Sequence, residues 1–505
     1  MRQTSADGKK STDQHRPSPP RLAARLGLAP CPTGAKGDCC KACHLGPCRF
    51  FGEDARGVCG ASRDLIIARN LLRSVAAGTA AHCGHARHLL EFGGAPRRGD
   101  GVQFREISEA LHQSAMGVGA DPDDLLRRCL RLAALDGEHG LGLATRLEDA
   151  AFGRPSPKSG RLDLASLDPG RTNIAVHGHE PALAMALAAE AARHPDVNLV
   201  GVCCTGASLL AAAGVPLAAA FTLQEDVVAT GIVEALVVDS QCVMPSLPDL
   251  CECFHTRLVS TSPLARMPGA AHMPVRNRAE AARTARAIIR LARGNRKNRS
   301  AAAHLAFRAA APAQSEAVVG FTEDSVGLRR LADGLRSGKL KGVIAAVGCV
   351  NPRSDAAGWT EAFKDLAADH AVLTTGCMAF ELGRAGLLDG RNFFHLGSCV
   401  NNARAAAVFR RLAALLGRPV PALPFTASCP MPITEKSVAI GLYFATLGCR
   451  AHFGAPFPIP PSSGAAAALQ RILKEDHSSR ALLESSPEAF VRALRGRSRR
   501  CTSRT

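Results

Sequence analysis

Six short apolar runs in this chain are each followed by a side chain able to bind metal. Asn173–Val176 leads into His177-Gly178-His179, Asn198–Val202 ends in Cys203-Cys204, and Ala235–Val238 leads to Cys242. Gly342–Val347 leads to Cys349, Ala371–Leu373 to Cys377, and Phe393–Leu396 to Cys399. Read as strands, these runs deliver their donors at carboxyl ends, where doubly wound sheets bind ligands. A single cysteine in that place is usually a small buried hydrophobe. Thiols after five strands and an imidazole after the sixth are too many for that explanation. Three donors come from each half of the region, so the site they form should lie between two domains. Five thiolates and one imidazole exceed the four ligands of zinc. Thiolates favour iron–sulfur chemistry and imidazole also suits nickel, so the donor set implies a multinuclear iron–sulfur centre open to a second metal.

A second group of thiols lies near the N-terminus. Cys40-x2-Cys43-x4-Cys48-x10-Cys59 supplies four thiolates, the set for one cubane cluster. A structural zinc site uses four thiolates too, and spacing alone leaves it open. Cys31 and Cys39 are then left over. Two thiolates cannot complete a four-ligand cluster, but a two-fold axis would add the same pair from a second copy. This suggests a homodimer with one cluster shared at its interface.

The elements that must position these groups follow from periodicity. Residues 1–20 are polar and rich in Lys, Arg, Ser and Pro, and read as a disordered tail. Residues 21–160 read as a helical domain carrying the N-terminal cysteines. Within it Leu65, Ile66, Ala68, Leu71, Leu72 and Val75 recur at helical spacing, and Asp124–Leu135 repeats the pattern. From about residue 165 strands and helices alternate, which indicates parallel sheets. The polar stretch Gly294–Ser300 divides them into residues 161–295 and 296–505.

Composition narrows the function classes. The chain has 19 cysteines among 505 residues and lacks the apolar N-terminal stretch of a secretory signal, so metal binding fits better than disulfides. No apolar run reaches the length of a membrane span, and we expect a cytoplasmic protein. The net charge of +18 reads as a solvated, Arg-rich surface suited to an acidic electron carrier. The basic stretch Arg492–Arg504 has no interleaved aromatics, so no nucleic-acid partner is expected.

Taken together the residues resemble one family. Cys39-Cys40-x2-Cys43-x4-Cys48, His177-Gly178-His179-Glu180-Pro181, Gly201-Val202-Cys203-Cys204-Thr205-Gly206, Gln241-Cys242-Val243-Met244-Pro245-Ser246, Gly348-Cys349, Gly376-Cys377 and Gly397-Ser398-Cys399 are similar to motifs of the anaerobic nickel-containing carbon monoxide dehydrogenases. The resemblance spans Cys31 to about Ser463. It implies an α/β fold with a helical N-terminal domain and two Rossmann-like parallel-sheet domains. The implied reaction is the reversible conversion of CO and water to CO2, two protons and two electrons. The resemblance implies that His179, Cys204, Cys242, Cys349, Cys377 and Cys399 hold a cluster of one nickel with iron and sulfide, with Cys203 near the nickel. It further implies that Cys40, Cys43, Cys48 and Cys59 hold a [4Fe–4S] relay cluster, and Cys31 and Cys39 the cluster shared across the dimer.

Outside the clusters, the resemblance points to His82, His85 and His88 as a proton relay and to Lys436 as an active-site lysine, with Asp136 a candidate support for the iron side. The implied partners are a ferredoxin-like carrier and, in some family members, acetyl-CoA synthase. Several positions depart from the family pattern. The helical domain is short, Glu91 stands where relatives continue the histidine row, and Val350 replaces an Asn. Ala207-Ser208 replaces an Asn-Glu pair, and Asn401 an Asp. The rival readings are a hybrid-cluster reductase, whose carboxylate ligands are not found here, and a non-catalytic electron-transfer or redox-sensing homologue.

Overall fold

The computed structural model describes residues 21–496 apart from 36, 53, 94–100, 311–314 and 456. The tail expected over residues 1–20 lies outside the described residues. The chain is α/β, with a helical N-terminal region and two parallel sheets, the class expected from the sequence.

A small antiparallel ladder opens the chain, pairing β1 (Cys39–Cys40) with β2 (Cys48–Arg49). The first large sheet contains β3 (Lys158–Leu162), β4 (Thr172–His177), β5 (Val197–Val202), β6 (Leu217–Ala219), β7 (Val233–Val238), β8 (Arg257–Ser260), β9 (Ala271–His272) and β10 (Ser315–Val319). Its order is β10-β3-β6-β5-β4-β7-β8-β9. The second contains β11 (Gly342–Ala346), β12 (His370–Thr374), β13 (Phe393–His395), β14 (Phe425–Cys429), β15 (Arg450–Phe453) and β16 (Arg480–Leu482), in the order β13-β12-β11-β14-β15-β16.

This order brings the donors together. The strands β4, β5 and β7 are buried along their whole length, as strands covered by helices on both faces must be. Strand β4 lies between the other two, with His177 opposite Val202 on one side and Val238 on the other. Three carboxyl ends therefore emerge side by side. In the second sheet β12 lies between β11 and β13, and again three ends are adjacent. The two sheets also share chain. The edge strand β10, which follows the 295/296 division, pairs antiparallel with β3 of the first sheet. Just beyond it Phe321 N–H donates to His395 O of β13 at 3.0 Å.

The helical region is organised by the 30-residue helix Arg63–Phe92. Ser62 caps it, accepting from Leu65 N–H at 3.3 Å. Its buried stripe includes Leu65, Ile66, Leu71, Leu72 and Val75, as the sequence predicts. Each such side chain is worth about 1.5–3 kcal/mol on burial. The helix Pro122–Leu135 packs along it, with proline in its first turn and Asp121 as cap. A helix from the second sheet domain, Glu435–Thr446, packs on the same surface. Gly78 permits the close crossing, because a Cβ there would lie 2.5 Å from Glu435 O. Lys436 is thereby held beside the helix that carries His82. Among the described residues no helix is long and apolar enough to cross a membrane.

Candidate active site

The six strand-end donors meet between the two sheets. The side chains of Cys204 and Cys399, one from each sheet, interact, and those of Cys203 and Cys377 do the same. Lys436 Nζ lies 2.8 Å from His179 Nε2 and donates to Cys242 Sγ at 3.4 Å. Cys349 Sγ lies 3.5 Å from Thr434 Oγ1, and its charge is felt at Cys242, Cys399 and Lys436. A pocket of about 10 Å³, on the scale of one water molecule, is lined by His82, His85, His179, Cys204, Cys399 and Lys436, among others.

Local backbone geometry aims the donors. Cys203, Gln241 and Cys242 all have positive φ, at 61°, 61° and 54°. Such conformations persist in non-glycine residues where the surroundings enforce them, and they collect at functional sites. The loop after β4 is held by Asp239, the residue that follows β7. Its carboxylate accepts from His179 N–H at 2.8 Å and from Glu180 N–H at 2.6 Å. Gly178, at φ 140°, leaves room for it, since a Cβ there would fall 1.8 Å from Asp239 Oδ1.

The electrostatics suit a metal–sulfur site. Contact with Cys399 and the nearby His179 and Lys436 hold Cys204 well below the usual thiol range, although burial opposes them. Burial pushes Cys242 up to about 12. It also lowers His179, which stays a neutral imidazole able to donate a lone pair. Its Nδ1 is buried with no hydrogen-bond partner. Burial favours the neutral amine of Lys436, but Cys242, Cys204, Cys399 and Cys349 outweigh it and keep the group an ammonium. Among the described residues no three His, Cys, Asp or Glu side chains are arranged to hold a single metal ion. The five sulfurs and one imidazole have the softness and the number for a polynuclear centre.

Two histidine–carboxylate pairs border the pocket. His82 Nδ1 lies 2.8 Å from Asp136 Oδ2, and both groups are buried. A π-helical stretch, Asp136–Gly142, puts the aspartate there. Gly140 permits the contact, because a Cβ would lie 2.2 Å from Asp136 Oδ1 and 2.8 Å from His82 Cβ. Asp136, expected from the resemblance near the iron side, thus has His82 as its partner. His85 Nε2 lies 3.2 Å from Glu148 Oε1. His88 does not line the pocket; it stacks near Phe92 and senses Glu180 and Glu91.

The N-terminal thiols form a separate lobe. Cys40 is paired opposite Cys48 across the β1–β2 ladder. A Cβ on Gly57, two residues before Cys59, would lie 3.6 Å from Cys48 Sγ, so that loop folds back on the same ladder. Cys43 lies on the turn between the two strands. Arg63 clamps the segment through a two-point ion pair with Asp38, at 2.6 and 3.1 Å. Cys31 and Cys39 lie together, with the Cβ position of Gly34 within 3.8 and 4.0 Å of their sulfurs. Cys31 is exposed.

Three groups escaped the sequence reading. Asp239 follows an apolar strand and carries no motif of its own. Glu148 sits inside an ordinary amphipathic helix. Cys429 ends β14, which the apolar pattern did not single out, and its buried thiol donates to Ser437 O at 3.4 Å while its charge couples to Cys349.

Comparison with known proteins shows the family. The profile of the Prismane/CO dehydrogenase family matches residues 38–97 and 101–488. Carbon monoxide dehydrogenase 1 of Methanosarcina acetivorans is 33% identical, over 88% of each chain. The structure of carbon monoxide dehydrogenase IV from Carboxydothermus hydrogenoformans superposes with a TM-score of 0.85 at 30% identity, over 94% of each chain. A nickel-free crystal structure of carbon monoxide dehydrogenase from Thermococcus sp. AM4 superposes equally, at TM-score 0.85 and 30% identity, covering 94% of this chain and 93% of that one.

Proposed function

Since this chain belongs to the Prismane/CO dehydrogenase family, we propose that it is a carbon monoxide dehydrogenase, converting CO and water reversibly to CO2, two protons and two electrons at a nickel–iron–sulfur centre. The observation that carries the reading is the convergence of six donors from six strand ends, three per sheet, around a buried ammonium. The residues fit such a group: the donors are soft, and His179 Nδ1 is an orphaned buried nitrogen. His179, Cys204, Cys242, Cys349, Cys377 and Cys399 would hold it, with Cys203 beside them. When bound, the cluster supplies Lewis acidity toward water and a store for two electrons.

The chain's own groups handle charge and protons. Lys436, kept cationic among thiolates, is placed to stabilise negative charge developing on a substrate oxygen. His82 Nε2 is buried and has no partner, so it can accept a proton. Asp136, on the other ring nitrogen, would then stabilise the imidazolium. Buried surroundings keep bulk water from short-circuiting the transfer. Cys40, Cys43, Cys48 and Cys59 would hold the [4Fe–4S] relay. Exposed Cys31 and half-buried Cys39, with their counterparts in a second copy, would hold a shared cluster from which a ferredoxin-like carrier draws electrons.

The test is reduction of a viologen dye under CO by protein prepared anaerobically with adequate nickel, paired with metal analysis. Dye reduction with nickel bound supports the reading. Nickel absent despite the supply, together with no reduction, sinks it.

A further inference from the structure

None of the twelve side chains lining the pocket is a carboxylate. The reaction proposed above releases two protons for each CO, yet only one of the two histidine–carboxylate pairs that border the pocket, His82 with Asp136, has been given a role. The other is His85 with Glu148, whose carboxylate meets His85 Nε2. The Glu148 side chain is 2% exposed, and among the described residues its one ion-pair partner is His85.

Each oxygen of Glu148 has a different task. Oε1 faces His85 Nε2 at 3.2 Å. Oε2 accepts from Asn401 Nδ2 at 2.9 Å. Asn401 in turn uses Oδ1 to accept from Ser398 N–H at 2.8 Å and Ser398 Oγ–H at 3.1 Å. Ser398 immediately precedes Cys399. Thr145, one turn before Glu148 on the same helix, donates to Val400 O at 3.1 Å. The glutamate is therefore tied to the loop that carries a proposed cluster ligand, and it faces a histidine of the pocket wall. An aspartate at 401 would set two carboxylates against each other; the amide instead donates to one neighbour and accepts from the other.

We propose that His85 and Glu148 form a second proton-accepting pair, parallel to His82 and Asp136, so that each of the two protons released has its own acceptor. His85 Nδ1, buried and without a partner, receives the proton. As the Nδ1–H bond forms, the Nε2–H bond breaks and its proton moves to Glu148 Oε1. The ring stays neutral, the carboxylate becomes the acid, and no electrons move. Glu148 acts through His85 and is a positioning and proton-holding residue. The inference rests on the proposed reaction.

Wild-type turnover tests that reaction; Glu148→Gln tests the pair. Glutamine keeps the size and can still accept from Asn401, but it cannot take the proton. The expected result is a fall in kcat of at least tenfold with KM for CO unchanged, full nickel and iron content, and partial rescue by Glu148→Asp. Infrared difference spectra under CO should show a protonated carboxyl band that Glu148→Gln removes. The double variant with His85→Asn should be no slower than the slower single variant, since the two act as one unit. Any of three outcomes overturns the pair: full turnover in Glu148→Gln, loss of metal that Glu148→Asp does not restore, or an infrared band that persists in Glu148→Gln. Absence of turnover in the wild type would count against the reaction instead.

Discussion

The loop that presents His179 should be unusually intolerant of one methyl group. In Gly178→Ala the new Cβ would fall 1.8 Å from Asp239 Oδ1, 2.1 Å from Cγ and 2.3 Å from Oδ2. No rotamer of alanine avoids this, so the aspartate must move. Moving it breaks the hydrogen bonds from His179 N–H and Glu180 N–H, at 2.8 and 2.6 Å. Each costs about 1–3 kcal/mol in a buried site. A backbone φ of 140° adds strain for any residue with a Cβ, of order 1–3 kcal/mol. Partial recovery as Asp239 shifts brings the expected loss to about 4 kcal/mol in local stability. The loop can open without global unfolding, so amide exchange is the assay of choice. At 1.4 kcal/mol per factor of ten, exchange at His179 and Glu180 should quicken by roughly 10³-fold. Amides in the second sheet should keep their rates. Nickel and iron content should fall, because binding free energy at such a site is also folding free energy. Unchanged exchange at both amides, with full metal loading, would refute the claim that Asp239 holds the loop.

Three further outcomes are expected. His82→Ala should lower CO-oxidation turnover by roughly 10²–10⁴-fold with metal content intact; unchanged turnover would make the His82–Asp136 pair structural. Replacing Cys31 and Cys39 together by Ser should remove one cluster per dimer and weaken association in sedimentation, and loss of two clusters with association intact would speak against sharing. Burial holds His452 down at about 4, below the usual value near 6.5, so the folded form resists a proton that the unfolded chain accepts. Stability from this residue is therefore present above about pH 6.5 and lost as pH falls toward 4, by about 3 kcal/mol; His452→Gln should flatten that part of the stability profile measured by denaturant unfolding.

The sequence made the proposed cluster donors legible because an apolar run and a chemically distinctive residue coincide at each. Runs such as Asn198–Val202 and Gly342–Val347 are uninterrupted apolar stretches, as strands buried on both faces must be, and each ends on a chemically distinctive residue. The observed strands, Val197–Val202 and Gly342–Ala346, match them to within a residue. The edge strand Ser315–Val319 was not legible, because an antiparallel strand added from beyond the division obeys no local rule. Strand order was not legible either, and it is the order that sets three donor ends side by side in each sheet.

Lys436 shows where reading from types and spacing stops. In Thr434-Glu435-Lys436-Ser437 nothing distinguishes it from a solvated lysine, and only resemblance to a family raised it above that. Its burial follows from a glycine more than 350 residues earlier in the chain. Gly78 lets the helix Glu435–Thr446 approach until Ala439 Cβ would stand 2.9 Å from a Cβ at 78. That approach carries the lysine under the protein surface to 3% exposure. An ammonium buried alone would lose its proton, but this one arrives among sulfurs contributed by both sheets. The sulfurs keep the lysine charged, and its charge in turn favours the thiolate form of Cys204. Each group alone would shed its charge in such a place, so the site is stable only when the helix crossing and the two sheet ends are formed together.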